Sequence, residues 1–142
     1  MNVLLSIRPQ YAESIVTGQK KYEFRKIIFN DKYVNMAYVY ATSPVKKIVG
    51  TFKIGKIVRD CPENLWDQLN EYSGLDEEEF FAYFKNSKIG YAIEIKCVET
   101  FKEPIDPKDL IPNFTPPQSF CYIKSTLDSK VSCERSILSY DS

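Results

Sequence analysis

The period of the apolar positions changes several times along the chain, and each change predicts an element. Val3 to Ile7 is an apolar run with β-branched ends, expected to be a buried first strand, and Arg8-Pro9 breaks it. Pro9 stands where a helix tolerates proline, in its first turn. Tyr11, Ala12, Ile15 and Val16 then recur at three- and four-residue spacing and stop at Gly18, a natural left-handed cap. Strict alternation takes over at Tyr22-Glu23-Phe24-Arg25. A strand there sends Tyr22 and Phe24 to one face and Lys21, Glu23 and Arg25 to the other, aromatics inward and charges on a surface. Ile27 to Tyr33 reads as a loop with apolar anchors, Met36 to Ala41 as a strand with Tyr38 and Tyr40 on one face, and Thr42-Ser43-Pro44 as a turn.

Lys47 to Val58 alternates with Ile48, Gly50, Phe52 and Ile54 on one side, and Gly50 and Gly55 suit a strand that must bend. Pro62 to Leu69 predicts a short helix carrying Leu65, Trp66 and Leu69. A second helix is expected from Asp76, an N-cap followed by Glu77, Glu78 and Glu79 at the positive end of the dipole, with Phe80, Phe81 and Phe84 buried. That role accounts for the acidic run, and the tryptophan reads as core. Tyr91 to Phe101 alternates again, with Tyr91, Ile93, Ile95 and Cys97 on the buried face. From Pro104 onward, five prolines impose an extended path able to wrap the sheet, with Phe120 and Tyr122 expected to pack inward. Residues 1–124 are expected to form one domain, and 125–142 a tail or a short docked helix.

Composition narrows the class. At 142 residues and 44% hydrophobic, the chain can bury one core. No apolar run approaches the roughly 20 residues of a membrane span, and no leader-like segment opens the sequence, so a cytoplasmic location is expected. The four cysteines are dispersed and there is no histidine, which argues against a zinc site; no metal or cofactor is implied. The net charge of zero hides an asymmetry: residues 1–59 hold 11 basic against 3 acidic side chains, and residues 60–142 hold 8 against 16. Such a division suits a basic face for a polyanion, unless the halves interleave in space.

Gly18, Lys20, Glu23 and Arg25 form a G-x-K-x-x-E-x-R motif, preceded by a short strand and a helix beginning at Arg8-Pro9-Gln10-Tyr11. Read from the residues alone, Glu23 and Arg25 are as well explained by a surface ion pair. The motif and its frame resemble the ASCH domain, a member of the PUA-like superfamily. The resemblance implies an α+β fold, a PUA-like closed or nearly closed β-barrel with peripheral helices. It also implies a cleft that binds RNA or a modified nucleotide, built from Ser6, Arg8, Lys20, Glu23, Arg25, Thr42 and Ser43; Gln118 and Ser119 are further candidates to read a base edge.

Two other classes stay open. Some members of the family are hydrolases, among them an amidohydrolase of N4-acetylcytidine. In that comparison Lys20 falls at the essential lysine, Glu71 at the essential glutamate, and the strand Tyr91 to Cys97 at the last strand. The departure is Glu23, which stands where that enzyme has a threonine nucleophile, so a carboxylate there would act as a base on water. Lys20, Glu23 and Glu71 are therefore the catalytic candidates if the chain is an amidohydrolase or ribonuclease. The third class is a protein-interaction domain of the transcription apparatus.

Overall fold

The computed structural model describes residues 1–109 and 111–123; the expected tail at 125–142 lies outside them. Six strands, β1 (Asn2–Ile7), β2 (Tyr22–Arg25), β3 (Met36–Ala41), β4 (Lys47–Asp60), β5 (Gly90–Ile105) and β6 (Phe120–Ile123), form one sheet. Three helices accompany it: α1 (Pro9–Val16), α2 (Pro62–Leu69) and α3 (Glu77–Tyr83). The class is α+β as expected.

The strand order is β2-β5-β4-β3-β1-β6, with β1 and β3 parallel and the other neighbours antiparallel. Among the described residues the sheet is not closed: β2 and β6 are its edges, and strand pairing does not complete the expected closed or nearly closed β-barrel. Pairing of Leu4 with Cys121 and Leu5 with Phe120 makes a strand of the end of the proline-rich stretch, which alternation over four residues was too short to announce.

Two strands are long and bent. β4 changes register against β5 between Ile48 and Gly50, between Thr51 and Lys53 and between Ile54 and Ile57, so the first and last irregularities fall at Gly50 and Gly55, as expected. The first irregularity has a consequence that simple alternation missed. Ile48 joins the core of Leu4, Tyr38, Tyr40 and Phe101, whereas Phe52 joins the opposite core of Val3, Leu5, Ile7, Ala12 and Ile15 beneath α1. Similarly, Cys97 is exposed with φ +48, not buried on β5's inner face, while Ala92 on the supposedly wet face is fully buried.

A third core lies under α2 and α3, where Phe24 meets Leu65, Leu69, Phe80, Phe84 and Ala92. Phe24 and Phe80 pack edge to face at 5.1 Å, a contact that adds about 0.5–1.5 kcal/mol to area burial. Trp66 packs on Phe80 and Phe81, the core role expected of it. Asp76 caps α3 in a full capping box with Glu79. The two charged halves of the sequence do interleave: β4 pairs with β5, and the Lys56 amide donates to the Glu94 carboxylate.

Candidate functional site

The motif occupies the exit of α1 and the edge strand β2. Helix α1 ends at Thr17, Gly18 turns the chain with φ +85, and the Lys20 amide closes on Ser14 O at 2.9 Å. Tyr22 and Phe24 face the third core as alternation requires, and Glu23 and Arg25 face the other way. The expectation of a charged surface fails, however. Lys20, Glu23 and Arg25 are all buried, at 3, 6 and 7% exposure.

These three side chains converge. Arg25 Nη1 donates to Glu23 Oε2 at 3.0 Å, and Lys20 Nζ lies 3.9 Å from Glu23 Oε1. Arg25 also donates to Ser6 O at 3.3 Å and, through Nη2, to both the carbonyl oxygen and the hydroxyl of Ser119, at 2.8 and 2.7 Å. Lys20 Nζ donates to Ser73 O at 2.6 Å and sits 5.1 and 5.7 Å from the ring centres of Phe24 and Tyr11. Gly74, with φ +71, lets the backbone pass over Lys20, since a Cβ there would come within 3.0 Å of the lysine stem. Burial pulls the Lys20 ammonium below the ordinary lysine range, and the negative charges of Glu23 and Glu79 only partly offset that.

Glu79 and Tyr83 complete the surroundings, on one face of α3 at i and i+4. Glu79 Oε2 accepts from the Tyr11 hydroxyl at 3.1 Å while its Oε1 holds the Asp76 amide. The Tyr83 hydroxyl accepts from the Lys26 amide at 3.2 Å; burial raises its pKa, with Arg25 lowering and Glu23 raising it further. Sequence reasoning had assigned Tyr11 to the helix stripe and Glu79 to the dipole. The D-x-x-E spacing of Asp76 and Glu79 and the i, i+4 relation of Glu79 and Tyr83 were the available signals.

The other candidates divide. Ser6 belongs to the assembly: its amide donates to Ser119 O and its hydroxyl to Pro117 O at 2.7 Å. Ser119 is a bonded partner of Arg25, whereas Gln118 is exposed. Arg8 is exposed at the start of α1, near enough for its charge to act on Tyr11. Thr42 and Ser43 lie past the end of β3, where the Thr42 amide donates to Ile7 O at 2.9 Å. Glu71 is exposed on a 3-10 turn, and the carboxylates whose charge reaches Lys20 are those of Glu23 and Glu79. Tyr122 points outward: it is 39% exposed and its hydroxyl accepts from the amides of Asn30 and Asp31.

Chemically, the assembly offers one acidic and one basic group with capacity to spare. The Arg25 fork is committed to Glu23, Ser6 and Ser119, but among the described residues Glu23 Oε1 has only the long contact to Lys20, and Lys20 Nζ keeps donors beyond the bond to Ser73. Among the described residues, no group of histidine, cysteine or carboxylate side chains is arranged to hold a metal ion. No described helix is long and apolar enough to cross a membrane.

Residues 5–105 match the model of the ASCH domain. An ASCH domain-containing ribonuclease from Zymomonas mobilis is 28% identical over 134 residues, covering 90% of this chain and 88% of that protein. The crystal structure of ASCH from Zymomonas mobilis superposes with a TM-score of 0.87 at 27% identity, over 93% of this chain and 94% of the other. The N-terminal domain of McrB from Staphylothermus marinus shares the fold, with a TM-score of 0.61 at 11% identity over 94% and 93% of the two chains.

Proposed function

The chain belongs to the ASCH domain family, and from that membership we propose that it is an RNA-binding domain whose recognition site is centred on Lys20, Glu23 and Arg25. The observation that carries the reading is the end-to-end similarity to the Zymomonas ribonuclease, which spans nearly all of both chains. The geometry supports it. Among the described residues Glu23 Oε1 has only the 3.9 Å contact to Lys20, so an extruded base that enters between them, placing an exocyclic amine on the first and a carbonyl or ring nitrogen on the second, satisfies both. Cytosine and its N4-modified forms carry that edge. Arg25 serves as the frame, fixing the Glu23 carboxylate so that little ordering remains when a ligand enters.

A second reading, cleavage of RNA, is favoured by the relative's activity and by the buried Lys20, whose pKa burial lowers. In that case neutral Lys20 takes the proton of a ribose 2′-hydroxyl. The oxygen attacks the adjacent phosphorus, and the 5′-oxygen leaves and takes a proton from water.

The test is fluorescence anisotropy with labelled single-stranded RNA over a salt series, alongside a gel of the incubated RNA. Lys20→Met and Glu23→Gln should each weaken binding about tenfold, the size of one charge-assisted hydrogen bond. Unchanged circular dichroism would show that the fold is intact. Absence of RNA binding by the wild-type chain sinks the proposal. Cleaved RNA with intact 2′-O-methyl RNA selects the second reading.

A further inference from the structure

A hollow lies outside the motif, and nothing in the proposed chemistry uses it. It has a volume of about 330 Å³, within the range of small-ligand sites. Tyr40 and Phe114 form its apolar part, their ring centres 5.3 Å apart. Lys46, Lys47 and Lys108 stand around it, with Asp106 the sole carboxylate among the lining residues. Three ammonium groups against one carboxylate leave a surplus of positive charge at its mouth. Among the described residues none of the three lysines is ion-paired, and the Asp106 carboxylate is occupied in accepting the Lys108 amide at 3.0 Å. Sequence separation makes the cluster invisible beforehand: Lys46 and Lys47 come from the junction of the turn and β4, and Lys108 from the 3-10 turn after β5.

The hollow also has a defined relation to the motif. Its wall includes Thr115 and Pro116, and the same extended segment continues to Pro117, which holds Ser6, and to Ser119, which holds Arg25. Pro116 to Ser119 is three residues, at most about 10–11 Å of extended chain.

We propose that this hollow is a nucleotide subsite, with Lys46, Lys47 and Lys108 gripping a phosphate and Tyr40 and Phe114 receiving the attached sugar or base. The proposal rests on the RNA reading in one respect, that the phosphate belongs to the strand whose neighbouring base occupies the motif. Taken alone, the hollow recognises a nucleoside monophosphate. Its chemistry is that of a phosphate site with an aromatic floor: compact cations supply affinity and salt dependence, and the rings supply a sequence-tolerant contact.

The experiment uses the whole chain and the variant Lys46→Ala/Lys47→Ala/Lys108→Ala, whose altered side chains lie at the surface and are expected to leave the circular dichroism unchanged. Single-stranded RNA is titrated by anisotropy across a salt series, and uridine and cytidine monophosphates by 15N-1H NMR. Removing three phosphate contacts should cut the slope of log K against log salt by about 2 and weaken binding more than about tenfold near 0.1 M salt. The monophosphates should shift the amides of Val45, Lys46, Lys47, Asp106, Lys108, Phe114 and Thr115. If the wild type binds RNA but the triple variant binds it with unchanged slope and affinity, the subsite is refuted and the RNA reading survives. If RNA does not bind yet the monophosphates shift those amides, the subsite stands as a mononucleotide site and the RNA reading falls. If neither ligand binds, both fall.

Discussion

Arg25 on one edge strand of the sheet is hydrogen-bonded to Ser119 beside the other edge. Nη2 reaches the Ser119 carbonyl oxygen at 2.8 Å and its hydroxyl at 2.7 Å, across 94 residues of sequence. The strand ladder leaves β2 and β6 unpaired to each other, so a guanidinium spans the opening where a barrel would place backbone bonds. The same guanidinium fixes Glu23. Closure of the fold and orientation of the candidate recognition group thus depend on one side chain.

Arg25→Lys should therefore behave as a severe change. A lysine cannot reproduce the fork, and it would leave Glu23 or Ser119 without its partner in a buried setting. A loss of about 3–5 kcal/mol, the usual result of breaking a buried pair, is expected in urea denaturation. Proteolysis should begin near the Asn113–Ser119 stretch. A loss under about 0.5 kcal/mol, as for a surface ion pair, would show that the bridge contributes nothing.

At Gly50 the β4 and β5 backbones leave no room for a side chain. A Cβ there would lie 2.5 Å from Glu99 O, a backbone atom, and 3.3 Å from Val16 Cγ1. Gly50→Ala must push two strands apart or distort the bulge, at a cost of about 1–3 kcal/mol. Thermal unfolding reads this directly. An unchanged midpoint would mean that the bulge is softer than the geometry implies.

Much of this architecture is written in the local pattern. Period 3.6 gives α1, period 2 gives β2 and β3, and Asp76 announces α3, because each depends on residues within a few positions of one another. What the pattern does not carry is the partner of each charge. Glu23 and Arg25 look alike as surface pair or buried network until the proline-rich segment, some ninety residues later, is laid over them. Likewise, bulges beside Gly50 and Gly55 are legible as bends, but not the switch of core between Ile48 and Phe52, because it turns on Val49, one extra residue of β4 opposite the adjacent Val39 and Tyr40 of β3. Glu71 rests on counting within a connection, and the carboxylates whose charge acts on Lys20 are those of Glu23 and of Glu79, eight residues beyond Glu71 on α3.

Glu79 offers a prediction that separates its two roles. Asp76→Ala breaks only the cap and should cost about 1 kcal/mol. Glu79→Gln keeps an amide oxygen for the Asp76 amide but removes the charge beside Tyr11, whose pKa is raised first by burial and then by Glu79. Tyr11 should titrate at lower pH in Glu79→Gln and at its original pH in Asp76→Ala, followed by NMR of the ring. Equal behaviour in both variants would mean that Glu79 does not face the motif.

Lys20 supplies a pH signature. Its folded-state pKa lies below the ordinary 10.5 because burial penalises the ammonium more than Glu23 and Glu79 favour it. Between the folded and unfolded values the unfolded chain binds the extra proton, so folding stability from this residue rises with pH across that window. Below the folded value the burial cost is present in full, and above 10.5 it is gone. Urea unfolding measured from neutral pH upward should show this rise in the wild type as a difference from Lys20→Met, which has no ammonium to desolvate. If the two stability curves stay parallel through the alkaline range, Lys20 is not held below its ordinary pKa, and the case for it as a proton acceptor in RNA cleavage goes with it.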